Sequence, residues 1–159
     1  MNREIADSLR PSTVDRRLTR QLRAVAAFCP GYNLRRADKT VSRWFDEEFR
    51  GAAITASQFT VLLNLALRSP LSTGDLSERL NSDLSTVSRN MEALVRSRLV
   101  EVVRGGDRRR REYALSGEGR LVINECLPRW KAAQARTMRR VGRGRWMVAL
   151  SALKRLYEE

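Results

Sequence analysis

The chain has 159 residues, with 31 Lys and Arg against 18 Asp and Glu, no His, and a formal net charge of +13. This length suits one domain, or two small ones that share a core, and an apolar fraction of 42% excludes wholesale disorder. Without His there is no Ser-His-Asp or Cys-His site, and two distant cysteines cannot complete a four-ligand zinc site. We therefore expect no enzyme activity, no metal and no cofactor.

The basic residues favour a nucleic acid as the first partner to consider. Only Lys39, Lys131 and Lys154 are lysines, so nearly all of the positive charge is carried by arginine. Arginine is planar and contacts phosphate or guanine with two parallel hydrogen bonds. An arginine-rich surface that only keeps the protein in solution is the alternative.

The sequence also predicts where the protein resides. Cys29 and Cys126 are too few and too far apart for a secreted disulfide scaffold, and the N-terminal segment lacks the apolar core of a signal peptide. No apolar stretch approaches the length of about 20 residues that crosses a bilayer. We expect a cytoplasmic protein without a membrane partner.

Three helices are predicted in the first part of the chain. Residues 12–28 have apolar positions at helical spacing, and residues 33–49 form a second amphipathic segment. A third helix begins after Thr55, which forms a capping box with Gln58, and ends before Ser69-Pro70. The spacing predicts that this third helix directs four residues to the core: Phe59, Leu62, Leu63 and Ala66.

The middle of the chain has the element order of a winged helix-turn-helix. Two helices, 72–80 and 83–98, are joined by the short connection Asn81-Ser82, and a β-hairpin with strands at 99–104 and 111–115 follows. Helices are predicted again over the ranges 117–140 and 145–157. The predicted fold is mainly α with a small β-hairpin wing, a winged helix-turn-helix combined with a helical dimerisation region.

The second helix of such a motif enters the major groove by its N-terminal turns. Ser85, Thr86, Ser88 and Arg89 lie there, off the apolar stripe of that helix. Small hydroxyl side chains allow close approach to the DNA, and Arg89 is long enough to reach a guanine edge. The alternative for Ser85 and Thr86 is simple capping of the helix N-terminus.

The hairpin carries a basic group of residues, which we predict to be the DNA-binding wing. An arginine inserted into a narrow minor groove is held by the negative potential there. Asp107 lies two residues from Arg109 and is predicted to orient its guanidinium, although Gly-Asp sequences also simply make turns. The predicted wing residues are Arg104, Asp107, Arg108, Arg109 and Arg110.

Residues 76–119 resemble the central region of the MarR family of transcriptional regulators. The D-x-R motif of the family's wing falls on Asp107 and Arg109, its S-T-V-[ST]-R motif on residues 85–89, and its L-[ST]-x-x-G motif on residues 115–119. The resemblance implies a homodimer that binds a pseudo-palindromic operator in double-stranded DNA, usually as a repressor in a stress response. It divides the chain into dimerisation helices (1–51), the winged helix-turn-helix (52–116) and C-terminal dimerisation helices (117–159).

The resemblance implies release from DNA by a small phenolic or anionic effector or by an oxidant, and the sequence leaves both open. An effector cleft would use Trp44 and Phe45 as apolar walls, with Arg35 or Arg43 holding the anion. A hydroperoxide sensor would instead use Cys29, with Cys126 as a resolving thiol or merely as packing. A non-specific architectural nucleic-acid-binding protein is the alternative from a different class.

Overall fold

The computed structural model describes residues 13–104 and 111–157 of the chain. One compact unit ends at Val41 and a second begins at Ser42, so the boundary falls within α2. The helices are α1 (Thr13–Phe28), α2 (Pro30–Glu48), α3 (Ala56–Leu67), α4 (Thr73–Leu80), α5 (Leu84–Arg96), α6 (Gly117–Val141) and α7 (Arg143–Lys154). The strands are β1 (Leu71–Ser72), β2 (Val100–Arg104) and β3 (Arg111–Leu115). This confirms the predicted fold class. None of the helices within these ranges is long and apolar enough to cross a bilayer.

The junction between α1 and α2 is tighter than the sequence predicted. α2 begins at Pro30, three residues before the expected start, because proline is well accommodated in the first turn of a helix, where its missing N–H costs nothing. The side-chain amide of Asn33 donates to the carbonyl oxygens of Ala26 and Ala27 at 3.0 and 3.3 Å. Asn33 thereby satisfies carbonyls at the end of α1 that have no partner within the helix.

Capping boxes form at the starts of two helices. At the start of α3, the Gln58 amide donates to Thr55 Oγ1 at 3.2 Å, and the Thr55 amide donates to Gln58 Oε1 at 2.9 Å. At the start of α4, Ser72 and Asp75 exchange the equivalent pair of bonds at 2.8 and 3.2 Å. Local sequence therefore fixes where these two helices begin.

The predicted inward face of α3 is only partly correct. Two of its four residues are buried, Phe59 and Leu62. Leu63 is half-buried and Ala66 is exposed, whereas Val61 and Leu65 are buried instead. The reason is that α3 packs against α5, α6 and β3, so it has no single buried stripe.

The sheet has one strand more than the predicted hairpin. Its order is β1-β3-β2, with all neighbours antiparallel. β1 pairs Leu71 with Tyr113, and a strand of two residues is too short to produce an alternating pattern in the sequence. The β2–β3 register places Val100 opposite Leu115 and Arg104 opposite Arg111.

Two predicted helix ends shift for backbone reasons. α5 ends at Arg96, two residues early, and Arg98 adopts a left-handed φ of 59° that leads into β2. The expected linker at residues 141–144 shrinks to Gly142 alone, whose φ of 86° suits glycine, so α7 begins at Arg143.

The core of the second unit lies beneath α3, α5 and the sheet. Its largest fully buried side chains are Phe59, Leu62, Leu65, Leu76, Met91 and Leu94. Phe49 packs edge-on against Phe59 with ring centroids 5.4 Å apart, which attaches the segment after α2 to this core.

The start of α6 approaches the sheet so closely that only glycine fits at position 119. Ser116 caps α6, and its Oγ accepts from the Gly119 amide at 2.9 Å and donates to the Arg98 carbonyl at 2.8 Å. A Cβ on Gly119 would lie 2.2 Å from the Leu99 carbonyl oxygen. Backbone contact between α6 and the turn after α5 therefore sets the position of the wing.

We expect Gly119→Ala to destabilise the protein by about 1–3 kcal/mol, because the added methyl group meets backbone that cannot move aside. Gly117→Ala is the matched control, since a Cβ there meets nothing within 4 Å and alanine favours a helix. Thermal unfolding at a fixed protein concentration measures both. Equal melting temperatures for the two variants would contradict the close approach.

Candidate nucleic-acid interface

The turn between α4 and α5 is fixed by hydrogen bonds within five residues. Asn81 adopts a left-handed φ of 45° and its amide donates to the Glu78 carbonyl. Ser77 Oγ donates to the Ser82 carbonyl at 2.6 Å, and the Ser82 amide donates to the Ser77 carbonyl at 3.0 Å. The angle between the two helices is thus set locally, as a helix-turn-helix requires.

One face of α5 is buried and the opposite face is exposed. Val87, Met91 and Leu94 face the core. The four predicted base-contacting residues lie on the first two turns: Ser85, Thr86 and Arg89 are exposed, and Ser88 is half-buried. The helix cap is Asp83, so Ser85 and Thr86 lie inside the first turn rather than at the capping position.

Arg89 is the longest of these four side chains. In the part of the chain that the structure describes, it makes no ion pair and no hydrogen bond. Asn90 beside it donates to Ser57 Oγ on α3 at 3.0 Å, which holds α5 against the first helix of the domain. The backbone around Arg89 is therefore fixed, whereas its guanidinium remains able to bind a ligand.

The predicted wing lies partly outside the described residues. β2 ends at Arg104 and β3 begins at Arg111, so the strands that carry the wing are present. Asp107, Arg108, Arg109 and Arg110 fall in the segment that the structure does not describe, and the orienting role of Asp107 stays a prediction.

Sequence reasoning missed a cavity between α5 and the sheet. Its volume is about 250 Å³, and it is lined by Glu92, Val95, Arg96, Arg111 and Tyr113. The one signal in the sequence was the spacing from Arg89 to Arg96, seven residues or two helical turns, which puts both arginines on one face. We call this space the wing-root cavity.

The predicted effector residues are divided between two regions. Trp44 and Phe45 are half-buried at the end of α2 and contact α6: the Arg136 guanidinium lies 5.1 Å from the centre of the Trp44 ring. Phe45 meets Trp130 edge-on at a centroid distance of 6.5 Å. The exposed Arg35 belongs to the other compact unit.

Beside Trp44, one carboxylate is shared by two arginines. Glu47 Oε2 accepts from Arg136 at 2.6 Å, and Arg43 Nε lies 3.9 Å from Glu47 Oε1. The hydrogen bond from Arg136, together with its positive charge, lowers the pKa of Glu47 below 4.5. The predicted anion-binding residue Arg43 therefore already has a carboxylate partner.

The two cysteines occupy different environments. Cys126 is buried in the core, and this burial raises the pKa of its thiol. Cys29 is half-buried between α1 and α2, in the other compact unit. Because the thiolate is the reactive form, the environment of Cys126 suits packing better than thiol chemistry.

Comparison with known families and structures identifies this geometry. The MarR family model matches residues 54–111, the segment from the start of the helix-turn-helix domain to the beginning of β3. The structure of the Mycobacterium tuberculosis transcriptional regulator MosR in complex with DNA is 28% identical, covers 82% of this chain and 96% of its own, and has a TM-score of 0.68. Over these residues the chain is therefore similar to the MarR family, whose fold it shares.

Other structures of the MarR family match over similar lengths. Bordetella bronchiseptica BpsR, whose DNA binding is regulated by 6-hydroxynicotinic acid, is 24% identical over 84% of this chain and 96% of its own, with a TM-score of 0.75. A variant of Escherichia coli MarR complexed with operator DNA is 20% identical over 83% and 96%, with a TM-score of 0.74. No curated protein sequence matches significantly. The match to the MarR family model and to DNA-bound MosR supports a DNA-binding transcriptional regulator.

The Glu47 contacts predict an acid-dependent loss of stability. Folding lowers the pKa of Glu47, so ionised Glu47 contributes to the free energy of unfolding. This contribution is present at pH values above the ordinary pKa of 4.5 and is lost as the pH falls through the lower pKa of the folded state. We expect Glu47→Gln to flatten the decline in melting temperature between neutral and acid pH.

The matched control is Glu101→Gln, because Glu101 is exposed on β2 opposite Ala114. It should keep the acid-side slope of the parent protein. If Glu47→Gln gives the same slope as Glu101→Gln, the contact with Arg136 does not contribute to stability. Protein concentration is held constant, since association of chains would itself shift melting.

Proposed function

We propose that the protein is a homodimeric repressor that binds a pseudo-palindromic operator and leaves it when a small anionic or phenolic effector binds. The observation that carries this proposal is the exposed Arg89 on a helix whose opposite face and N-terminal turn are fixed. In this proposal, α5 enters the major groove by its first two turns.

Each residue of α5 has a role in this proposal. Ser85, Thr86 and Ser88 let the helix approach base edges and phosphates closely, while Arg89 donates two hydrogen bonds to a guanine. The wing residues, with Arg109 at the centre, contact the adjacent minor groove. MosR was solved in complex with DNA and the E. coli MarR variant in complex with operator DNA, which supports DNA as the ligand of this surface.

Exposed apolar side chains support the dimer. On α1, Leu18, Leu22 and Val25 are each at least half exposed, and on α7 Met147 and Val148 are exposed as well. Apolar rows at helical spacing on terminal helices are typical of interfaces. The proposal assigns residues 1–51 and 117–159 to dimerisation and 52–116 to DNA binding. A two-fold axis would then place the two α5 helices about 34–36 Å apart, one turn of DNA.

The effector site proposed here lies at the end of α2, beside Trp44 and Phe45. Their half-burial leaves an apolar wall, and Arg136 and Arg43 beside it supply positive charge that a ligand carboxylate could share with Glu47. Regulation of BpsR by 6-hydroxynicotinic acid supports a small anionic aromatic ligand. Release requires that the ligand bind the DNA-incompetent conformation more tightly.

A two-cysteine hydroperoxide switch has less support than a ligand switch. Burial raises the pKa of Cys126, which opposes thiol chemistry there. If a protein carrying both Cys29→Ser and Cys126→Ser still leaves DNA under hydroperoxide, that switch is excluded.

The first experiment selects bound duplexes from fragmented genomic DNA and then measures binding by fluorescence anisotropy across a salt series. An operator-specific protein prefers the selected duplex to a shuffled one by about 4–10 kcal/mol. Equal binding of both duplexes, with a steep salt dependence, would instead identify an architectural DNA-binding protein.

Arg89→Ala should weaken binding to the selected duplex by about 1–3 kcal/mol and leave binding to the shuffled duplex nearly unchanged. The control is Arg140→Ala, which removes an exposed arginine from the last turn of α6 and should change neither. Equal losses on both duplexes for Arg89→Ala would reassign Arg89 to phosphate contact.

The dimer is tested on α1, where Leu22 is 57% exposed. Leu22→Glu should shift the protein toward monomer in sedimentation equilibrium, because a charge cannot be buried in an apolar interface without large cost. Thr19→Glu makes the same charge change at an exposed polar position of α1 and should leave the assembly intact. A parent protein that is monomeric while bound to the selected duplex would overturn the dimer.

A further inference from the structure

The wing-root cavity places two arginines between α5 and the sheet. Arg96 lies on the last turn of α5, and Arg111 is the first residue of β3. Both are exposed and both line this cavity of about 250 Å³. Neither belongs to the family motifs in the sequence, and neither has a role in the function proposed above.

The backbone explains why these two residues meet. Arg111, Tyr113 and Leu115 alternate along β3, so they share one face of the sheet, and the last two are buried. Arg111 therefore continues the face that packs against the domain, and its guanidinium lies 5.8 Å from the centre of the Tyr113 ring. This cation–π contact holds the Arg111 side chain beside Tyr113, and both line the cavity.

Arg96 belongs to the same exposed stripe of α5 as Arg89. Seven residues separate them, which is two turns or about 10 Å along the helix axis. A DNA duplex that meets Arg89 in its major groove therefore lies within reach of the side of the helix that carries Arg96.

The cavity has an excess of positive charge. Glu92 supplies one carboxylate against the two guanidinium groups. Two like charges that line one cavity repel each other, and an anion between them offsets that repulsion. Within the described ranges, neither Arg96 nor Arg111 forms an ion pair. The charges thus favour an anionic ligand.

The way in which a winged helix docks on DNA determines which anion can bind in the wing-root cavity. When a helix lies in the major groove and the wing reaches the adjacent minor groove, the sugar-phosphate backbone that separates these grooves must pass between helix and wing. That position is the wing root. We propose that Arg96 and Arg111 together clamp one backbone phosphate of the operator, a contact that rests on the function proposed above.

Glu92 gives the clamp a second property. It lies between Arg89 and Arg96 on the exposed stripe, and its carboxylate faces the same cavity as the phosphate would. Repulsion between the carboxylate and a poorly placed phosphate weakens binding to every duplex whose backbone does not fit the arginine pair. Glu92 is thus a positioning residue that limits non-specific binding.

The test combines neutral phosphates with variants of the arginine pair. In duplexes of the selected operator, single phosphates are replaced one at a time by methylphosphonates, and affinities are measured for the parent protein and for Arg96→Gln, Arg111→Gln and the double variant. One methylphosphonate, on the backbone between the two grooves, should strongly reduce the DNA affinity of the parent protein. It should hardly change the DNA affinity of the double variant. Removing the clamp should also lower the slope of log K against log salt by about 0.9.

Control variants separate a phosphate contact from a structural effect. Arg140 lies about 30 Å along α6 from Gly119. The same methylphosphonate should therefore reduce the DNA affinity of the Arg140→Ala variant as much as it reduces that of the parent protein. Arg96→Lys should restore part of the salt slope, since it keeps the charge. Glu92→Gln should tighten binding to shuffled DNA more than binding to the operator, which a role in folding alone would not produce.

The outcomes distinguish this inference from the proposed function. Suppose that the parent protein prefers its operator, but that every methylphosphonate reduces the affinity of the double variant as much as that of the parent. The proposed clamp is then wrong, whereas the proposed function as a regulator is unaffected. If the parent shows no preference among duplexes, the proposed function fails first. Retained helical content of each variant in circular dichroism excludes unfolding as the cause.

Discussion

Burial of one face of α5 is the constraint on which the rest of the molecule depends. Val87, Met91 and Leu94 are almost completely inaccessible, so rotation of the helix about its axis would expose them at a cost of about 1.5–3 kcal/mol each. The same rotation would bury Arg89 without a partner. Apolar packing, rather than any polar contact, therefore fixes which side chains α5 exposes.

The surroundings of α5 reinforce this orientation at both ends. Hydrogen bonds between Ser77 and Ser82 set the entering turn, and the left-handed Arg98 starts the leaving one. Beyond that turn, Gly119 brings α6 into contact with the Leu99 carbonyl. α5 and the start of β2 are thereby attached to α6 through backbone, which suits the docking in two grooves that we propose.

The sequence predicted what is locally encoded and missed what depends on tertiary neighbours. Capping side chains such as Thr55 and Ser72 act within one turn, so the starts of α3 and α4 are visible in the sequence. The buried face of α3 depends on three neighbouring elements, and β1 exists only because β3 lies beside it. For the same reason, Arg89 was predicted from its own helix, whereas Arg111 belongs to the site only through the packing of the sheet on α5.

The connection from the proposed effector site to the DNA-binding surface follows from α6. About 26 Å of this helix separates the close approach at Gly119 from Arg136, which contacts α2. A ligand beside Trp44 that competes for Glu47 or Arg136 would act at one end of a stiff helix whose other end holds the wing root. Since effector and operator affinities must then change each other by the same factor, weakening the Glu47 contact should alter operator affinity even without ligand. In the proposed function, α6 would couple the two sites, because it contacts the residues beside Trp44 and the turn after α5.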